Sequence, residues 1–407
     1  MIQWFPIVIF ISVPLQFNDL TTLFRSGLIP IFASIILVLR PVNFKNYKNV
    51  SLVFTLLVGV YLVSWQMNEQ SYADFLFGSY GRNLGILCLI GIYLLTIQSA
   101  KEFSISSHQL VNSFYVVLIL AIVYGLLQEF GTDIINWEKG AGPGSTLGNP
   151  NFSSSLFGML SGIPLYYAIK SKKLYRNFHI TIYITTLSLI LLSGSVQGLV
   201  LYGVNFIFIF LKNKLGAKFI ILTVISTSLV LILVLSNKLK LFQNLQTRVN
   251  SQIQFDERIE HWKYGLRVFR ESPIIGVGLD NLQKFGGEFR TIDMFEWGKY
   301  TIPDRAHNVF IDYLAFGGIF AGLLWLTFVL MIFHHFYILK ASAKNSTTQT
   351  EYDVIFLIFL SYLIQASISP DHLVLNVYGM MSAGAVLGRY INHINGNVRT
   401  INANKIN

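Results

Sequence analysis

Charge is scarce in this chain: Asp, Glu, Lys and Arg together make up 12% of 407 residues, whereas hydrophobic residues make up 53%. A soluble domain carries roughly twice that charge fraction, so a soluble fold is excluded. Cysteine is nearly absent as well. The single Cys88 lies inside an apolar run, which rules out a disulfide framework and a thiolate metal site and leaves a small buried hydrophobe. Trp4 to Phe17 is apolar but has neither a basic leader nor a small-residue cleavage site, and reads as a retained first span. Also missing are a metal-binding carboxylate pair, a His–Cys cluster, a Gly-rich phosphate loop with lysine and a Ser nucleophile elbow. Chemistry here is therefore expected to need no metal and no cofactor, and to be arranged around arginines and one histidine. The formal net charge of +10 invites a nucleic-acid reading, but the basic residues sit mainly in short loops between apolar runs, which is how topology is encoded. No nucleic-acid partner is expected; membrane lipids are.

What is present is a series of apolar runs of membrane length. The ~20-residue rule predicts an all-α polytopic membrane protein with about 12 transmembrane helices, near 3–17, 27–40, 50–67, 82–98, 110–130, 152–169, 178–194, 197–212, 217–236, 307–333, 352–368 and 372–391. Residues 1–407 read as one transmembrane domain, with no repeat, and 392–407 as a short, polar, unstructured cytoplasmic tail. With both termini in the cytoplasm, the inside segments hold Arg40, Lys45, Lys48, Lys101, Lys170, Lys172, Lys173, Arg176, Lys212, Lys214, Lys218, Lys340, Lys344, Arg389, Arg399 and Lys405. The short outside loops hold only Arg25, Arg82 and Lys139. That asymmetry puts the long loop 237–306 on the extracytoplasmic side, where its length exempts its own charges from the rule.

Four outward segments hold most of the unusual polar residues. Tyr80-Gly-Arg82-Asn-Leu-Gly85 opens the fourth span; Arg82 either snorkels to headgroup phosphates or faces a ligand. Gly140 to Ser155 opens the sixth, and Asn149-Pro150-Asn151 reads as a helix cap, either no more than that or one whose amide and backbone donors also make an anion site. Ser193 to Gly198 is a polar break, either a tight turn or a cavity wall, with Gln197 expected to face a cavity or a neighbouring helix. In the long loop, residues 256–271 show helical spacing, with Trp262, Leu266 and Phe269 as an apolar stripe and Arg258 and His261 beside it. Such a helix could simply lie on the membrane surface. Ser272-Pro273 ends that run. His307, in Asp304-Arg-Ala-His-Asn308, stands at the first turn of the tenth span. A lone interfacial histidine is more often structural than catalytic.

The ordered set of motifs resembles the bacterial O-antigen ligase and O-antigen polymerase family. It comprises Gly81-Arg82-Asn83 with Gly85, Gly148 to Phe152, Arg258 followed by Trp262, Pro273 with Gly276 and Gly278, and Ala306-His307-Asn308. No single motif is specific; their order, with the long loop, is, and the likeness spans roughly residues 80–330. The resemblance implies a multi-pass glycosyltransferase of the bacterial inner membrane. Such an enzyme passes a glycan from a polyprenyl-diphosphate carrier to a lipid- or glycan-linked acceptor hydroxyl, without metal and with inversion. It implies His307 as base and arginines as diphosphate ligands. Arg82, Arg258 and Arg305 are the candidates here, with Asn149, Asn151, Gln197 and Trp262 as further substrate contacts. The likeness breaks at Ser193 to Gly198. Many members carry an arginine after the second serine, and this chain has Val196 and Gln197. Two readings compete with an enzyme. One is a transporter for a carrier-linked glycan, which predicts charges near the membrane midplane. The other is a non-catalytic subunit of an envelope assembly complex.

Overall fold

The structure is a computed structural model, and it describes residues 1–13, 22–133, 135, 142–213, 255–292, 294, 303–343 and 346–406. Every regular element among them is helical. In chain order they are α1 Phe5–Ile11, α2 Leu23–Leu39, α3 Lys48–Met67, α4 Tyr72–Phe77, α5 Ile86–Glu102, α6 His108–Glu129, α7 Pro150–Leu160 and α8 Gly162–Lys170. There follow α9 Lys173–Ser193, α10 Val196–Asn213, α11 Phe255–Glu271, α12 Gly286–Phe289, α13 Val309–Ser342, α14 Ser346–Ile368 and α15 Leu373–Ile406. Phe44–Met67, His108–Glu129, Val309–Ser342 and Gln349–Ile368 are long and apolar enough to cross a membrane. The chain is an all-α membrane protein. The expected ninth span, 217–236, lies outside the described residues, as do 237–254 and 295–302 of the long loop and the end of the first span. The tail differs from expectation, because α15 continues as helix to Ile406.

Small residues let the helices close on one another, as in other membrane bundles. A Cβ on Gly388 of α15 would lie 1.8 Å from the Ala100 carbonyl oxygen of α5, and one on Gly198 of α10 would lie 2.0 Å from Ser154 Oγ of α7. The second contact brings the starts of α7 and α10 together, and with them the polar residues that open both helices.

The element that most shapes the site is α13, which is broken at Gly317 (φ −132°) and Gly318 (φ +67°). The loop after α11 fills the break. Val277 N donates to Ala315 O (2.9 Å), Gly278 N to Phe316 O (3.0 Å), and Ile319 N to Pro273 O (2.8 Å). Backbone groups orphaned by the kink are thus satisfied by the loop, as buried backbone requires. Ser64 Oγ of α3 also donates to Phe316 O (3.0 Å), and Asn68 Nδ2 to Gly276 O (3.0 Å). The half of α13 ahead of the break is therefore held against α3 and the loop.

Candidate active site

Six stretches distant in sequence meet in one cavity of about 220 Å3. Arg82 reaches it from the turn before α5, Asn149, Asn151 and Phe152 from the start of α7, and Gln197 from the start of α10. Glu257 and Arg258 come from α11, His307 from just before α13, and Ser369 and Pro370 from the connection between α14 and α15.

Each side chain is positioned by local chemistry. Pro150 occupies the first turn of α7, where its missing N–H costs nothing, and Asn149 Oδ1 caps the helix by accepting from Asn151 N (2.8 Å). Gly194 ends α9 in the left-handed region (φ +71°), so α10 restarts almost at once. Gln197 Oε1 accepts from Ser155 Oγ (3.1 Å), which ties α10 to α7. Its amide nitrogen makes no hydrogen bond to a described residue. Gln197 thus lines the cavity from the segment where the resemblance leads one to expect an arginine.

The segment 304–308 is fixed at nearly every residue. Asp304 Oδ2 accepts from Arg82 Nε (2.6 Å), and Ala306 N donates to Asp312 Oδ1 (2.8 Å). Asn308 Oδ1 caps α13 by accepting from Phe310 N (3.0 Å) and Ile311 N (3.2 Å), while its Nδ2 donates to Ser367 O (3.0 Å). Between them, His307 sits at φ +55°. The helix starts at Val309, so His307 precedes it instead of lying in its first turn. Histidine tolerates the left-handed region better than most residues, and the clamped neighbours hold it there.

A second histidine lies against the first. The His261 and His307 rings stack with centroids 3.9 Å apart and planes 16° apart. His261 Nδ1 is 2.6 Å from the Glu257 carbonyl oxygen. A carbonyl only accepts, so Nδ1 carries the proton and Nε2 is the basic nitrogen of the neutral ring. Burial and, next, the neighbouring His261 push His307 well below its ordinary value; Asp304 opposes this and Arg82 and Arg258 add to it. His261 is lowered as well, by burial above all, against the pull of the Glu257 carbonyl. Sequence spacing set His261 beside the stripe of α11 without linking it to His307, some 46 residues on.

The three candidate arginines have different surroundings. Arg82 is ion-paired with Asp304. Arg258 makes no hydrogen bond or ion pair to a described residue beyond its electrostatic pull toward Glu257, and it remains charged although burial lowers its pKa. Arg305 does not line the cavity. It pairs with Asp280, its side chain is 4% exposed, and its guanidinium lies 4.8 Å from the centre of the Phe316 ring. Burial disfavours the Arg305 charge most, but Asp280, Asp312, Asp304 and Asp371 together outweigh it and hold its pKa above the ordinary value. Asp280 also accepts from Ser79 N (2.9 Å) and Leu84 N (3.2 Å). Arg305 therefore belongs to a buried tie between the 78–85 turn, the 273–282 loop and the start of α13.

Trp262 is half-buried and is not among the cavity's lining residues; its Nε1 donates to His307 O (3.4 Å). The face that α11 buries carries Tyr264, Gly265 and Val268, whereas Leu266 of the expected stripe is exposed. Gly265 is the reason: a Cβ there would lie 2.5 Å from Ala306 Cβ, so the helix turns its smallest side toward the 304–311 segment. No three His, Cys, Asp or Glu side chains converge on a possible metal site among the described residues.

Comparison with known proteins adds one finding. Residues 180–326 match the family model described as O-antigen ligase, a stretch that holds Gln197, Arg258, His261 and His307. No curated protein matches the chain.

Proposed function

Because residues 180–326 of this membrane protein match a family model described as O-antigen ligase, we propose that the cavity is the active site of a glycosyltransferase. It moves a glycan from a polyprenyl-diphosphate carrier to the hydroxyl of a lipid- or glycan-linked acceptor. The observation that carries this reading is the pairing, in one cavity, of an arginine without an ion-pair partner among the described residues and a histidine whose proton affinity is depressed.

The diphosphate is already a good leaving group, so the protein must stabilise growing negative charge and remove one proton. His307 takes the proton of the acceptor hydroxyl. That oxygen attacks the anomeric carbon as its bond to the phosphate oxygen breaks, and the diphosphate departs with the electron pair. Attack opposite the leaving group inverts the anomeric carbon, and the reaction needs no divalent metal. Arg258 meets the diphosphate with its bidentate fork. Arg82, half-committed to Asp304, adds charge at the second phosphate, and Gln197 and the Asn149–Asn151 cap contribute neutral donors. This division of labour gives Gln197 a place in a site that the family more often furnishes with an arginine. Arg305 holds the scaffold, and Trp262 supports the backbone of His307.

The test is transfer and donor binding with purified protein. Arg258→Lys is expected to lose about 10-fold or more in kcat/KM, because lysine keeps the charge but not the fork. His307→Ala is expected to cut turnover by about 10²–10⁴-fold while donor binding stays near wild type. A His307→Ala protein with normal turnover, or one that is folded yet no longer binds donor, would overturn the assignment.

A further inference from the structure

One charged side chain in the candidate active site has no part in the transfer described above. Glu257 is the only carboxylate among the described residues that line the cavity. It is half-buried, its carboxylate makes no hydrogen bond to a described residue, and Arg258, its neighbour in the chain, is the charge that acts on it. The helix places it close to the proposed chemistry. Its backbone carbonyl accepts from His261 Nδ1, and the His261 ring stacks on His307. Glu257 thus stands one turn of α11, about 6 Å, from the residue that backs the proposed base. An ionised carboxylate only accepts hydrogen bonds and is repelled by phosphate, so the group it meets is not the diphosphate. The rest of the lining agrees. Gln197 and Ser369 are 2% and 3% exposed, and neither the Gln197 amide nitrogen nor the Ser369 hydroxyl has a partner among the described residues. Phe152 and Pro370 supply apolar carbon.

Resting on the reading of this cavity as a transferase site, we propose that Glu257 recognises the sugar carried on the diphosphate, by accepting hydrogen bonds from its hydroxyl or amide N–H groups. A sugar ring presents such donors on neighbouring carbons, within reach of both oxygens of one carboxylate, and bonds to a charged acceptor are roughly twice as strong as neutral ones. Its C–H faces suit Phe152 and Pro370, and its remaining hydroxyls suit Gln197 and Ser369, which donate as well as accept. The other parts of the donor do not fit. The phosphates are taken by Arg258 and Arg82, and a polyprenyl chain has nothing to donate. The group that reaches the residue beside Arg258 is therefore the sugar joined to the phosphates, and Glu257 selects for one that keeps free donors on that side.

Binding measured by microscale thermophoresis on the detergent-purified full chain tests this apart from turnover. The probes are farnesyl diphosphate, which has no sugar, and farnesyl diphosphates carrying glucose, galactose or N-acetylglucosamine. Wild type is expected to bind at least one sugar-bearing probe about 10-fold tighter than farnesyl diphosphate. Glu257→Gln keeps an acceptor oxygen without the charge and should shrink that advantage to about 2–3-fold, and Glu257→Ala should abolish it. Neither should weaken farnesyl diphosphate itself. Glu271→Gln, exposed at the end of the same helix and off the cavity, should leave every affinity unchanged. If wild type binds farnesyl diphosphate but gains nothing from any sugar, or if the gain survives Glu257→Ala, the proposal falls while the transferase reading stands. It falls too if the Glu257 variants lose farnesyl diphosphate as strongly as the sugar-bearing probes, because Glu257 would then only balance the charge of Arg258. Failure of wild type to bind any of the four probes would sink the transferase reading and this proposal with it.

Discussion

His307 and His261 act on one proton equilibrium. A charge on either ring penalises a charge on the other, and Arg82 and Arg258 add to the penalty at His307. The proposed base is thus free at neutral pH, and its rate should stay level there and fall only below the ordinary histidine value of ~6.5. His261→Phe keeps a stacked ring but removes the second titrating group. The acid limb of the kcat/KM profile should then move up toward ~6.5, with KM little changed; an unmoved limb would show that His261 only packs. Both histidines hold depressed values, so the unfolded chain binds protons first, and their stabilisation, complete above ~6.5, is lost as pH falls. Turnover at acid pH must therefore be scaled to folded protein. That His307, Arg82 and Gln197 share one cavity was foreshadowed in the sequence, where each is a rare polar group beside an apolar run, because such groups are costly in a membrane unless they face a cavity or a partner. Arg305 is the counter-example. It stands two residues from His307, and nothing in the sequence says that Asp280 will close on it.

The loop 273–278 and the break in α13 form a single device. Gly318 has φ +67°, and a Cβ there would lie 2.2 Å from the Ile274 carbonyl oxygen; Gly276 faces the same junction with φ +71°. Gly318→Ala should cost about 1–2 kcal/mol for the left-handed backbone and more for the clash, because the obstructing atom is backbone and cannot rotate away. The first half of α13 and the preceding 304–308 segment should shift with it, so turnover should fall together with the melting temperature. Gly287→Ala, where a Cβ meets nothing within 4 Å, is the matched control, and equal losses in the two variants would show that the clasp is not specific. Periodicity revealed where α11 lies but not which side it buries. The expected stripe through Leu266 was a count of apolar residues, whereas packing chose the side carrying Gly265. The break in α13 was hidden for a related reason: two glycines inside an apolar run look like ordinary small-residue packing until the loop that enters the gap is known.

At the scale of the whole molecule, the apolar runs made the all-α membrane class legible, because a span needs ~20 apolar residues; four helices among the described residues are long and apolar enough to cross a membrane. Which way the bundle faces rests on charge. Lys170, Lys172, Lys173, Lys212 and Lys214 fall at one set of turns, and the residues that meet in the candidate active site fall at the other. The structure brings those residues to one cavity, which is what a single aqueous face requires, and from the positive-inside rule we propose that this face is extracytoplasmic. Reporter fusions after Lys173 and Lys214 should therefore report cytoplasm, and fusions near Asn244 and Lys299 should report the outside. A cytoplasmic signal from the 237–306 loop would reverse both faces at once. It would separate the proposed site from carrier-linked glycans used outside the membrane, and no choice among Arg82, Arg258 and His307 could then rescue the transferase reading.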